Sequence, residues 1–368
     1  MKQIRNSLAI ITLLLLSFGL IMVYSASAIY AWQNTGDSAY FLKRHVIYLA
    51  LGFLLTFGVM LFDYRKLREF VKPLMLISLI LLLLVNVPGL GRQVGGARRW
   101  FSIFGIGFQP SVLVGFVLVI YLADFLARKQ ATIASFWGSI APGLAVLGFS
   151  VLLLLVQPDL GTAISFVLVG LIMFFVAGMR IEQLLAIFAL SIPFLYMLVF
   201  KVAYRKRRIL AFLDPWADPR GTGFQIIQAQ IALGSGGLFG LGLGQSRQKL
   251  FYLPAAHTDF IFSIISEELG IIGATGVIIL FALFFWHGIL IAREVKDAFG
   301  KLLSFGLTML ISLDAIINIG VNLGLMPTKG LPLPFVSYGG SALIFDMASV
   351  GLLLNIAKHE DNSTSVIN

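Results

Sequence analysis

The ionisable side chains of this sequence are few, and they gather in the segments that interrupt its apolar stretches. Arg98, Arg99, Asp159, the run from Lys201 to Arg208, Asp214, Asp218, Arg247, Lys249, His257, Asp259 and Lys329 all fall there. Guanidinium forks match phosphate oxygens, so Arg205-Lys206-Arg207-Arg208 suits either a phosphorylated lipid or plain contact with water and anionic headgroups. Asp259 closes the segment from Tyr252 to Phe260, where the chain re-enters an apolar stretch. A carboxylate in such a place can carry a raised pKa and act as a general base, or it can cap the next helix, and the two uses are compatible. Glu267, Glu268, Asp314 and Asp346 lie inside apolar stretches. Carboxylates there are costly unless paired or hydrated, so these are either proton or ion sites or partners for buried polar groups. Only His45 and His257 lie near the first set, which argues against a His-rich metal site.

The elements that must position these groups follow from composition. Of 368 residues 59% are hydrophobic and 12% charged, about half the charged share of a soluble domain, so the bilayer is the solvent. The pattern predicts an all-α polytopic membrane protein with about ten spans, near 8–30, 45–62, 73–90, 109–127, 139–157, 160–178, 182–202, 260–291, 300–325 and 341–357. One side carries Lys2, Arg5, Arg65, Lys66, Arg68, Lys72, Arg128, Lys129, Arg180, Arg293, Lys296, Lys301 and Lys358; the short loops opposite carry Lys43, Arg44, Arg92, Arg98, Arg99 and Lys329. Thirteen against six places both termini in the cytoplasm and makes 358–368 a short cytoplasmic tail. The net charge of +10 is then topogenic, and nothing resembles a nucleic-acid-binding domain. Absent cysteines exclude disulfides and thiolate metal sites. Lys2 and Arg5 ahead of an apolar stretch ending Ser25-Ala26-Ser27-Ala28 imitate a signal peptide, but the stretch is long enough to span and is read as retained.

Whatever chemistry exists is therefore expected on the outer face. The outlier there is the connection 203–259 between spans seven and eight, too long and too patterned for an ordinary loop. Thr222-Gly223-Phe224-Gln225 fits a capping box opening a short amphipathic helix to about Leu233, with Phe224, Ile227 and Ile231 on one face, lying at the membrane surface. Gly234 to Gly244 follows, with six glycines in eleven positions, suited to close backbone approach and matching neither a Walker nor a dinucleotide motif.

Five signatures in order then resemble the SEDS family of bacterial shape, elongation, division and sporulation proteins. They are Gly96-Ala97-Arg98-Arg99-Trp100 with Phe108-Gln109-Pro110-Ser111; Gln157-Pro158-Asp159-Leu160-Gly161-Thr162; Pro254 to Phe260; Asn322 to Gly330; and Leu333 to Ser341. Pro327-Thr328-Lys329-Gly330 and Tyr252-Leu253-Pro254 are similar to the division branch, FtsW, more than to the elongation branch, RodA, with sporulation members close by. The resemblance runs almost end to end, making 1–368 a single SEDS-type membrane domain. It implies a peptidoglycan glycosyltransferase that polymerises lipid II outside the cytoplasmic membrane, working with a class B penicillin-binding protein and other divisome membrane proteins. It implies Asp259 as the essential aspartate, deprotonating the acceptor hydroxyl or helping to hold a divalent cation, Mg²⁺ or Mn²⁺, with no organic cofactor. Arg98, Arg99, Lys329, His257, Arg205, Gln157 and Ser337 are the implied substrate-binding residues. The chain departs from the family pattern at Ala255 and Val112, where Glu is expected, at Ala229, where Ser is usual, and at Asp314 and Asp346, where neutral polar residues are expected. A lipid II flippase fits the helix count, but the polar positions crowd one face rather than the midplane. Ala255 keeps open a weakly catalytic scaffold that activates its partner.

Overall fold

The computed structural model describes residues 1–94, 96–103, 105–133 and 135–365. Twelve helices run along the described chain: α1 (Lys2–Thr35), α2 (Tyr40–Leu61), α3 (Leu67–Leu84), α4 (Pro110–Lys129), α5 (Ala141–Val156), α6 (Leu160–Val176), α7 (Ile181–Phe200), α8 (Ala203–Leu213), α9 (Phe224–Ser235), α10 (Ile261–Glu294), α11 (Ala298–Asn322) and α12 (Ser341–Ser365). All but α8 and α9 lie at the ten apolar stretches. Eight are long and apolar enough to cross a membrane. Of the others, α6 is a shorter apolar helix, and α3 carries Arg68, Glu69 and Lys72 in its first turns. The helical starts have local causes: Pro110 opens α4, while Asp159 and Asp297 accept the main-chain N–H of Thr162 and Gly300 at the starts of α6 and α11.

The core forms where α10 packs along α1 and α11, α11 along α4, and α12 along α2. The apolar α7 buries none of its residues fully and rests on the core through Leu184 and Ile187, so most of its surface is left to lipid. α1 buries Leu8, Leu15 and Met22, making it part of the bundle. The amino group of Met1 lies 3.6 Å from Asp361, so the first helix begins beside the last one's far end.

Five local expectations change. The connection before α4, read as a loop, forms a three-stranded antiparallel sheet of β1 (Arg92–Val94), β2 (Ala97–Ile103) and β3 (Ile106–Phe108), pinned to the bundle by Tyr48, whose hydroxyl receives the Gly107 N–H at 3.0 Å. The connection 203–259 holds two helices, α8 and α9, rather than one. The capping box does not form: Thr222 donates its N–H and hydroxyl to Asp218, and Gly223 takes the cap position without a side-chain bond. α9 packs on α10 and α11 with Ile226, Ile227, Ala229 and Ala232 inward, so Ile231 is exposed. Finally, 358–365 continues α12 instead of leaving it as a tail, and 366–368 lies outside the described residues.

The glycine run has a structural purpose. α10 is broken at Gly270 (φ 68°), and the run lies in the break, with Leu241 and Gly242 donating to the carbonyls of Glu267 and Glu268 at 3.0 Å and Ile271 donating to Gly237 at 2.9 Å. A Cβ on Gly240 would stand 2.2 Å from the Glu268 carbonyl oxygen, and one on Gly270 would stand 2.4 Å from that of Leu238. Main chain is thus packed on main chain. Gly270→Ala should lower the detergent unfolding midpoint through a loss of about 1–3 kcal/mol; an unchanged midpoint would show that the break is not fixed by this contact.

Candidate active site

Asp259 precedes α10 in a segment whose carbonyls at His257, Thr258 and Asp259 are each tied down. Its own carbonyl accepts the side-chain amides of Asn318 (2.9 Å) and Asn322 (3.0 Å), one turn apart on α11. The Thr258 carbonyl accepts the Ser337 hydroxyl at 2.6 Å, and the His257 carbonyl accepts the Tyr338 N–H at 3.0 Å. Asn318 also reaches the Leu331 carbonyl at 2.6 Å, joining this segment to the loop between α11 and α12. The turn feeding it has Ala255 at φ 56°, a conformation that L-residues adopt at a cost and keep only when their surroundings enforce it.

The carboxylate is the part left unbonded: it accepts no hydrogen bond from the described residues. Burial pushes its pKa up to about 6, opposed by the Arg208 guanidinium and assisted by Asp159. Gly330 lies against it, since a Cβ there would come 3.1 Å from Oδ2. The next residue back, Lys329, lays its stem over Gly161, where a Cβ would meet Cε at 2.7 Å. Its Nζ has no hydrogen-bond partner among the described residues, and burial lowers its pKa to about 8 against the pull of Asp314 and Asp159. Arg208 stacks on Tyr204 (4.6 Å to the ring centroid) and donates to the Thr328 carbonyl at 3.1 Å. With Arg207, Arg220 and Pro254 it lines a cleft of about 420 Å³. A partly desolvated carboxylate thus stands beside Gly330 and within the field of Arg208, which lines a cleft rich in arginine.

Other expected ligands are spent on structure. Gln157 is buried with its amide on the Leu82 carbonyl at 2.7 Å. Ser337 is buried, bridging Leu333 and Thr258. Arg205 turns back to the Leu198 carbonyl at 3.1 Å, so Arg207 and Arg208 are the members of the basic run that line the cleft. His257 sits among Tyr30, Phe41 and Tyr338, and burial lowers its pKa to about 4. It is neutral at physiological pH and offers a phosphate no charge. Arg99 donates to the Gln157 and Pro158 carbonyls at 3.0 and 2.7 Å and so holds the turn before the Asp159 cap. Arg98 stands on β2 opposite Gln93. Sequence reasoning missed Asn318, Asn322 and Arg220; the only signal for the asparagines was two amides four residues apart in an apolar span.

Among the described residues no group of three or more His, Asp or Glu side chains is arranged to hold a metal. Asp259 offers a carboxylate that accepts no hydrogen bond from the described residues. That donor set fits an ion such as Mg²⁺, which keeps waters and is shared between one or two carboxylates and substrate phosphates. Removing the support of Asp259 should be felt in rate: Asn322→Leu is expected to lower turnover and the unfolding midpoint together, and unchanged turnover would separate the amide from the positioning of Asp259.

A family profile described as cell cycle protein, under the joint heading FtsW, RodA and SpoVE, matches residues 5–362. The probable peptidoglycan glycosyltransferase FtsW of Geobacter metallireducens is 45% identical over 360 residues, covering 97% of this chain and 96% of that one. The stage V sporulation protein E of Bacillus subtilis is 45% identical over 352 residues, covering 96% of each. Among solved structures, a chain from work on structural coordination of polymerization and crosslinking by a peptidoglycan synthase complex matches with a TM-score of 0.79 and 29% identity, covering 96% of this chain and 97% of that one.

Proposed function

This chain belongs to the cell cycle protein family that takes in FtsW, RodA and SpoVE, and from that premise we propose that it is a peptidoglycan glycosyltransferase polymerising lipid II at the outer face of the cytoplasmic membrane during cell division. The observation that carries the reading is the Asp259 carboxylate, fixed by its main chain, unbonded at its oxygens and raised to about 6. Such a group is ionised at neutral pH yet more basic than an ordinary aspartate, as a general base requires.

In this reading Asp259 takes the proton of the acceptor sugar hydroxyl as that oxygen bonds to the anomeric carbon of the donor. The bond from that carbon to the diphosphate breaks, and the polyprenyl diphosphate leaves with the electron pair. Lys329 and the Arg207–Arg208 pair hold the diphosphate, Arg220 adds charge to the same cleft, and Arg98 extends the basic surface. A Mg²⁺ or Mn²⁺ held by phosphate oxygens would neutralise charge on the departing diphosphate; Asp259 would serve as a ligand to it only in place of acting as the base. Both termini face the cytoplasm, and the partner is a class B penicillin-binding protein that crosslinks the strands, together with other membrane proteins of the division apparatus. The equal identity to stage V sporulation protein E supports sporulation, beside division, as a setting for the same reaction.

The two titrating groups set a pH dependence. kcat/KM should rise through about pH 6 as Asp259 ionises and fall above about pH 8 as Lys329 loses its proton. Polymer yield from fluorescent lipid II across pH 5–9 reads both limbs, and a flat profile would remove both assignments. The reading itself is tested in proteoliposomes with lipid II supplied to the outer leaflet only. Glycan ladders formed without lipid translocation are expected; translocation without polymer would make the chain a flippase.

A further inference from the structure

The chemistry above leaves unused a cavity between α4, α6, α11 and α12. Asp314 of α11 and Asp346 of α12 line it, with Ser111 from the first turn of α4 and Gly330 from the loop that carries Lys329. Its free space of about 80 Å³ is several times the ~10–15 Å³ that one water molecule requires. Val112, Gly115 and Phe116 complete its α4 wall beside Ser111, and its carboxylates come from α11 and α12.

The charges facing this space do not balance. Asp314 accepts a hydrogen bond from the Ser165 hydroxyl on α6, which satisfies an oxygen without neutralising it. The cation nearest in electrostatic terms is Lys329, which feels Asp314 and Asp159 and forms no hydrogen bond among the described residues. Asp159 sits at the N-terminus of α6, where it takes the N–H and hydroxyl of Thr162 and the positive end of the helix dipole offsets its charge. One ammonium therefore stands against the two carboxylates of the cavity, in a region where an uncompensated charge is expensive. Independently, the Ser111 hydroxyl lines the cavity, is 1% exposed and has no partner among the described residues.

Hard oxygen donors from three helices, one excess negative charge and room for a small hydrated ion describe one kind of ligand. We propose that this cavity binds an alkali-metal cation through the carboxylates of Asp314 and Asp346 and the hydroxyl of Ser111. A monovalent ion closes the charge balance, whereas a divalent one would leave an excess of positive charge beside Lys329. The ion would join α4, α11 and α12 directly behind the loop that bears Lys329 and Gly330. It is a site apart from any divalent ion at Asp259 and does not depend on the proposed reaction.

The test uses the full chain in detergent at pH 7.5, with sodium or potassium exchanged for choline at fixed ionic strength. The unfolding midpoint should rise with the alkali cation and saturate, and Asp346→Asn and Ser111→Ala should each lose that cation-dependent rise. Radioactive sodium should bind the native chain at one ion per chain and be displaced by unlabelled sodium but not by choline. A midpoint indifferent to the exchange, an equal rise in the variants, or no bound sodium would overturn the proposal; the last would mean that a proton balances the pair. If Asp346→Asn does not fold, Ser111→Ala and sodium binding to the native chain decide.

Discussion

Asp259→Asn is expected to lower glycan polymerisation by about 10²–10⁴-fold while making the protein more stable at neutral pH. The rate loss follows from replacing a base by an amide of the same shape. The stability gain follows from the raised pKa: the folded protein holds the Asp259 proton to about pH 6, whereas an unfolded aspartate releases it near 3.8. Between those values the folded state binds more protons, so stability falls as pH rises through the window. Above it, the ionised carboxylate has cost at most about 3 kcal/mol, two units at about 1.4 kcal/mol each, reduced by the solvent that Asp259 still touches. Asparagine carries no such cost. Unfolding midpoints in detergent should therefore favour the variant at pH 7.5 and converge toward pH 4. An active variant would remove Asp259 as the base, and equal midpoints at both pH values would remove the strain.

Lys249→Met should be the most damaging single change to folding. Lys249 and Glu268 form an ion pair at 2.6 Å with side chains 4% and 0% exposed, and Ser25 of α1 donates its hydroxyl to the other Glu268 oxygen at 2.6 Å. The pair joins α1, the segment after the glycine run and α10 just before its break. Removing the lysine leaves a buried carboxylate uncompensated, which costs about 3–5 kcal/mol. Lys249→Met combined with Glu268→Gln should recover most of the loss, because desolvation of the charge disappears with the charge. A single variant as stable as the native chain, or a double variant worse than the single, would contradict this.

Much of the fold was legible because lipid leaves so few options. A chain with 59% hydrophobic residues in runs of span length has to be helical, and the positions of the apolar helices follow from the runs. The placement of Asp259 beside Gly330, with Lys329 next in the chain, was legible only through motifs, since these residues lie some seventy positions apart. What sequence could not show is which carbonyls lack partners. Gln157, Ser337, Arg205 and Arg99 have the side chains of ligands, yet each is used on a main-chain carbonyl exposed where a helix ends or a loop turns. The sheet at 92–108 escaped because its strands are three to seven residues long and are joined through glycine turns. The glycine run displayed its flexibility in sequence, but its target, the break at Gly270, became visible only when two backbones were seen in contact.

Ala255 stands where the resemblance sets a glutamate, at φ 56° in the turn that presents Asp259. The carbonyl of Ala255 still closes that turn by accepting from Thr258 and Phe260 at 3.1 and 3.3 Å. The missing carboxylate therefore leaves the main-chain support of Asp259 in place, which favours an enzyme over a scaffold.

The most direct measurement is polymerisation of lipid II by the purified chain together with the proposed class B penicillin-binding partner, its crosslinking activity blocked, in Mg²⁺ or Mn²⁺. The account predicts glycan ladders from the native chain and none from Asp259→Ala at equal, folded concentration. Ladders of equal length and rate from both proteins, or none from either while the complex is intact, would contradict it.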